Sequence, residues 1–307
     1  MKDFFEAAVI DEELKDFRSG YVSIIGRPNV GKSTLLNSIL GEKIAIVTPK
    51  PQTTRNRIIG IKTVPNAQII FIDTPGIHKP KHKLGETMVK TAIEALREVD
   101  IILFMVEPHE IGRGDRFIID LLRRVQSQVF LLINKIDIIK KSDLLPLIDH
   151  FKELHPFKEI IPISALKRDG IELLMNSIYD YLPYGPKYYP DEIITDQLER
   201  FMVSEIIREK ITEKTEEEVP HSVAVEVVEW NEREDRLITI RSNIYVEREG
   251  QKGIIIGKKG SMLKSIGTAA RIDIERLLNT KVFLELWVKV KKDWRDDKRI
   301  LEELGYI

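Results

Sequence analysis

Cysteine is absent from all 307 residues, which excludes disulfides, thiolate metal sites and cysteine nucleophiles. Long hydrophobic runs are missing as well. Ile101–Val106 and Val129–Ile133 are strand-length, far short of the ~20 residues a membrane-crossing helix needs. The opening MKDFFEAAVIDEELKDF carries Asp3 and Glu6 and no extended apolar core, so it does not read as a secretory signal. A soluble, cytoplasmic chain is the expectation. Net charge is nearly absent too, with 48 Lys+Arg against 49 Asp+Glu. An even mixture would argue against nucleic acid, but the charges are segregated. Residues 1–186 hold 26 basic and 24 acidic side chains, residues 191–250 hold 8 and 17, and residues 251–299 hold 13 and 6. The last stretch is a local basic field within a neutral total.

Proline and glycine are modest in number and therefore informative where they cluster. Leu182–Pro190 holds three prolines and a glycine and reads as a linker. Before it, β-branched runs at 21–26, 57–63, 67–73, 101–107, 128–134 and 159–164 alternate with helical patterns at 32–40, 85–98, 114–125, 142–154 and 170–181. That alternation predicts an α/β fold with a mostly parallel sheet, and the short link at 64–66 makes one pair antiparallel. After the linker, a helix at 195–214, strands at 222–230 and 236–247, a helix after Gly260, a strand at 282–290 and a helix at 296–304 predict a small α+β domain. The expected organisation is a helical extension at 1–19 that packs rather than anchors, a first domain at 20–182, a linker at 183–190 and a second domain at 191–307.

Gly26-Arg-Pro-Asn-Val-Gly31-Lys32-Ser33 follows a strand and opens a helix, the setting of a phosphate-binding loop. Backbone amides of Asn29, Val30, Gly31, Lys32, Ser33 and Thr34 would surround phosphate oxygens at the helix's positive end. Lys32 would reach the β/γ-phosphates and the Ser33 hydroxyl would bind Mg²⁺. Asp73-Thr-Pro-Gly76 puts a carboxylate at a strand end, where it can hold the Mg²⁺ shell through water, and a glycine amide near the γ-phosphate. Asn134-Lys135-Ile-Asp137 ends another strand. A carboxylate there can accept from guanine N1–H and the 2-amino group, and it would face lone pairs in adenine. Ser164-Ala165-Leu166 follows the next strand, where a backbone amide can donate to guanine O6. Thr53 or Thr54, within Gln52–Arg55, can complete the metal shell, and Thr54 is favoured. Lys32, Thr54 and Gly76 are the candidate catalytic residues.

These segments together resemble the GTP-binding proteins of the Ras-like and translation-factor superclass, and GRPNVGKST with QTTR and DTPG is most similar to the Era-type branch. The resemblance implies a GTPase using GTP, GDP and Mg²⁺. Ile77 stands where Ras-like relatives carry a water-orienting glutamine, and Asn29 resembles the asparagine that accompanies a K⁺ ion in some relatives. Slow hydrolysis, faster in K⁺ than in Na⁺, follows from that likeness. The polar, basic segment after Gly76 reads as a switch region, and its His78 and His82 lie among lysines that disfavour a metal pair.

Gly257-Lys258-Lys259-Gly260-Ser261 sits between an apolar run and a helix that Ser261 would cap. Its surroundings resemble a type II KH domain, in which a GxxG loop clamps single-stranded nucleotides. Phosphate-binding loop plus KH domain identifies the chain as a member of the Era-type GTPases. That membership implies binding of the 3′ end of 16S ribosomal RNA, a role in small-subunit assembly, a monomer, no DNA partner, and peripheral association with the inner membrane face. Two rival readings are a small-molecule P-loop kinase, which has no use for NKID, and an RNA-binding module with a purely structural nucleotide site.

Overall fold

The computed structural model describes residues 16–97, 99–232 and 237–307. Among the described residues it divides into two compact units, one within residues 16–45, 54–79 and 88–196, the other within residues 46–53, 80–87 and 197–307.

The first unit is built on a six-stranded sheet of β1 (Arg18–Gly26), β2 (Ile58–Val64), β3 (Ala67–Asp73), β4 (Ile101–Val106), β5 (Gln128–Ile133) and β6 (Glu159–Pro162). Its order is β2-β3-β1-β4-β5-β6. Only β2 runs antiparallel, paired with β3 across the tight Pro65-Asn66 turn. Every residue of β3 and β4 is buried, as expected for strands covered on both faces. Helices α1 (Lys32–Leu40), α2 (Lys83–Glu94), α3 (Arg113–Leu122), α4 (Lys141–Lys152) and α5 (Ile171–Tyr181) make the crossovers. From β1 the chain passes to β3 on one side and β4 on the other, so the strand order reverses there. A crevice outside the carboxyl ends of the strands at such a point is the usual ligand site in this architecture.

Two boundaries differ from expectation. The proposed extension at 1–19 lies largely outside the described residues, and its last two residues belong to β1. Arg18 and Ser19 pair with Ala67 and Gln68 there. The proline-rich linker is also tied down. Gln68 Oε1 accepts from the Tyr188 and Tyr189 amides, and Ser19 N donates to Pro183 O. The chain therefore stays with the first unit to Asp196 rather than leaving at 190.

In the second unit, α6 (Glu199–Lys214), the short α7 (Val219–Ser222), β7 (Ala224–Glu232), β8 (Leu237–Val246), α8 (Glu249–Ile256), α9 (Ser261–Leu278), β9 (Lys281–Val290) and α10 (Lys298–Glu303) follow in order. The sheet runs β7-β8-β9, with β7 antiparallel and β9 parallel to β8. Val203, Ile207 and Ile211 of α6 and Ile266, Ala270 and Ile274 of α9 pack in one core with Ile240 and Ile244 of β8. The apolar run before Gly257 is helical. Gln251 Oε1 accepts from the Glu247 and Arg248 amides and fixes its start. Ser261 does not cap α9 as expected. Gly260, at φ 79°, occupies the cap position, and Ser261 is the first helical residue.

Candidate functional site

The nucleotide motifs all leave the carboxyl edge of the first unit's sheet. After β1 the loop turns through Asn29 (φ 66°) and Gly31 (φ 105°) into α1. A Cβ at Gly31 would come within 2.3 Å of Asn134 Nδ2, so the glycine lets the guanine-side loop approach. Asn134 then ties the two loops together. Its Nδ2 donates to Val30 O at 2.7 Å and its Oδ1 accepts from the Ala165 amide at 2.9 Å. Ser164 Oγ donates to Asp137 Oδ1 at 2.6 Å, orienting an otherwise exposed carboxylate. The Ala165 amide is thus engaged by Asn134, and the exposed Leu166 follows it in the turn.

Lys32 is buried, and its Nζ donates to Arg27 O at 3.0 Å. Burial lowers its pKa to about 8, and the Asp73 charge acts in the opposite direction. Asp73 is fully buried at the end of β3, and burial pushes its carboxyl above the usual range. Its Oδ2 accepts from Ser33 Oγ at 2.6 Å and from Thr54 Oγ1 at 3.4 Å, and those two hydroxyls lie 2.7 Å apart. Asp73 Oδ1 is buried with no hydrogen-bond partner among the described residues. Two hydroxyls and an under-satisfied carboxylate are a donor set suited to a hard divalent cation that keeps water and phosphate ligands. Thr53 is differently placed, its Oγ1 bonded to Thr48 Oγ1 and Lys50 O in the second unit.

Gly76 packs against the phosphate loop so closely that a Cβ would fall 2.6 Å from Pro28 N. Ile77, whose amide donates to Gly26 O, is 2% exposed within the core. It has neither the polarity nor the exposure to orient water. His78 Nδ1 lies 2.8 Å from Gly76 O, whereas His82 pairs with Asp296 in the second unit.

In the second unit, Gly257 (φ 70°), Lys259 (φ 50°) and Gly260 (φ 79°) form the turn between α8 and α9, with both lysines exposed. A Cβ on Gly260 would meet nothing, so its conformation rather than crowding requires glycine. Beside the turn lies a groove between α9 and β9. Leu263, Lys264, Gly267 and Arg271 line one wall, and Phe283 and Leu286 the other. Its base is apolar and its rim basic. An apolar groove beside the loop is what the KH likeness implies, but its lining residues were not named from sequence, although 264, 267 and 271 recur at helical spacing and mark one face of α9.

A strand-end phosphate loop, a buried metal-type carboxylate and a guanine-type carboxylate define the first unit as a P-loop GTPase, and the GKKG turn between two helices packed on a three-stranded sheet marks the second as a KH-type RNA-binding domain. The family described as 50S ribosome-binding GTPase matches residues 21–135, and the KH domain family matches residues 218–295. The chain is 58% identical to the GTPase Era of Geobacter metallireducens over 94% of its length and 98% of that protein's. It superposes with a TM-score of 0.92, at 46% identity and covering 94% of this chain and 99% of the other, on Era in complex with MgGDPNP and nucleotides 1506–1542 of 16S ribosomal RNA. A variant of Aquifex aeolicus Era bound to GDP and aluminium fluoride superposes at 0.91, with 45% identity and the same coverage of both chains. The chain belongs to the Era family of GTPases.

Proposed function

We propose that this GTPase is a nucleotide-controlled RNA-binding switch that recognises the 3′ end of 16S ribosomal RNA and acts in assembly of the small ribosomal subunit. The observation that carries this reading is the pairing of the phosphate-and-guanine edge in one unit with the GKKG turn and groove in the other. The solved relative holding both a GTP analogue and RNA supports it.

Phosphate oxygens enter the amides of Asn29–Thr34, and Lys32 turns from the Arg27 carbonyl to the β/γ-phosphates. Ser33 and Thr54, with Asp73 through water, would hold Mg²⁺, which supplies charge neutralisation at the phosphates. Gly76 offers its amide to the γ-phosphate, and Asp137, Asn134 and the 164–166 turn read the base. Because Ile77 is buried, the attacking water is positioned by backbone and by Thr54. Arg27, the loop's own arginine, is committed to Asp115 and His109. K⁺, which Asn29 would help to hold, would supply the missing positive charge. Hydrolysis measured in KCl and NaCl at equal ionic strength should be faster in KCl, and equal rates remove potassium from the reading.

In the KH unit, Gly257 and Gly260 admit the RNA backbone, Lys258 and Lys259 meet phosphates, and bases enter the groove against Phe283 and Leu286. Changing Lys258 and Lys259 to Glu should abolish binding of the ribosomal 3′ oligonucleotide and leave GTP binding intact. Retained RNA affinity would move the interface elsewhere.

The same reading has the protein work as a cytoplasmic monomer without a DNA partner, touching the inner membrane face peripherally. No helix among the described residues is long and apolar enough to cross a membrane. Flotation with anionic vesicles tests the membrane contact, and recovery of all the protein in the vesicle-free fraction would remove it.

A further inference from the structure

Asp115, in the first turn of α3, is a buried carboxylate with no part in the chemistry above. It is 1% exposed, and its Oδ1 lies 2.9 Å from Arg27 Nε in the phosphate loop. Its Oδ2 accepts from the Gly112 amide at 3.0 Å, so the carboxylate is fixed to the start of α3. Gly114 leaves room for the arginine stem, since a Cβ there would fall 2.7 Å from Arg27 Cδ.

The other end of the guanidinium reaches His109. Nδ1 of His109 lies 2.9 Å from Glu110 O and must donate to it, so Nε2 accepts from Arg27 NH2 at 2.7 Å. Glu107, just past β4, lies 3.3 Å from the same Nε2 and forms an ion pair with Lys135 of the guanine-side loop. Burial would raise the Glu107 pKa, but the Lys135 ammonium holds it below the ordinary carboxylate value. One short segment, 107–115, thus grips the phosphate loop through Arg27 and the guanine loop through Lys135. Asn134 is a second, separate tie between the same loops.

We propose that segment 107–115 is a brace for nucleotide retention, in which Asp115 and Glu107 are positioning residues that hold the phosphate and guanine loops at a fixed separation and so limit the rate of GDP release. The proposal rests on the nucleotide site assigned above. Neutralising buried Asp115 leaves the Arg27 charge uncompensated, and neutralising half-buried Glu107 releases Lys135, so the loops are expected to loosen in either case.

Release of GDP carrying a fluorescent ribose label would be measured from the full chain and from Asp115→Asn, Glu107→Gln, Gly114→Ala and the Asp115→Asn/Glu107→Gln pair. Each single change should speed release on the order of tenfold, as loosening a supporting contact commonly does. The pair should be little faster than either alone, because both act on one brace. Preference for GTP over ATP should stay as in the parent, since Asp137 is untouched. Gly114→Ala keeps every charge and places a good helix former inside α3, so it reads the brace even where Asp115→Asn fails to fold. Rates within twofold of the parent, rate increases that multiply in the pair, or a lost guanine preference would each overturn the brace. A parent chain that binds no GDP would instead refute the nucleotide site itself.

Discussion

Ser33 Oγ donates to Asp73 Oδ2 at 2.6 Å, joining the first turn of α1 to the end of β3. Thr54 Oγ1 approaches both, which gathers three segments far apart in the chain around one buried carboxylate. If these groups hold Mg²⁺, Ser33→Ala should make nucleotide retention nearly insensitive to chelation. Adding EDTA should accelerate GDP release strongly in the parent and little in the variant. Equal acceleration in both would place the metal elsewhere.

Asp137 is the proposed reader of the base. With Ser164 Oγ fixing one carboxylate oxygen, the group faces solvent ready to accept two N–H donors. Asp137→Asn should lose GTP affinity by ~10³-fold or more, and XTP should restore binding. Competition titrations with GTP, XTP and ATP check this. An unchanged GTP preference would point to the 164–166 turn as the main reader.

Lys32 gives the site a pH dependence. In the nucleotide-free protein its pKa lies at about 8, lowered by burial, and bound phosphate will raise it. The sign follows directly: below pH 8 the ammonium is already formed, and above it binding must take up a proton. GDP affinity should therefore fall above pH 8, approaching about tenfold per pH unit. Calorimetry in buffers of different ionisation enthalpy should show proton uptake at pH 8.5–9 and almost none at pH 7. The lowered folded pKa also means that protonated Lys32 opposes folding, so the nucleotide-free chain should gain stability as pH rises from about 8 towards the ordinary lysine value.

Gly76, the proposed amide contact to the γ-phosphate, can serve only while it stays close to the phosphate loop. Gly76→Ala forces its Cβ towards the Pro28 backbone, 2.6 Å away before any adjustment. Affinity for a non-hydrolysable GTP analogue should drop by ten-fold or more while GDP affinity changes little, a loss of ~1.4 kcal/mol specific to the triphosphate state. Parallel titrations with the two ligands measure it.

Much of this was legible in the sequence for a physical reason. β4 and most of β5 are buried on both faces and so appear as unbroken apolar runs, and Asn134 follows the run of β5 as Asp73 closes that of β3. Local turn geometry was less accessible. Gly260 takes the cap position of α9 through its left-handed backbone, a preference that Ser261 beside it masked. The Ile254–Ile256 run carries no periodicity of its own, and its helix is set by Gln251 upstream. Pairings across the fold were out of reach. Nothing near Arg27 in sequence announces Asp115, and Gln68 holding the Tyr188 and Tyr189 amides is visible only once β3 is placed.

The switch itself is tested most directly by one titration. Affinity of the full chain for an oligonucleotide of the 16S ribosomal 3′ end would be measured with Mg²⁺ and GDP, then with Mg²⁺ and a non-hydrolysable GTP analogue. Coupling of ~1–3 kcal/mol, about 5- to 150-fold tighter binding with the analogue, is the expected result. Equal affinities in the two states would contradict it and leave an RNA-binding protein whose nucleotide is structural.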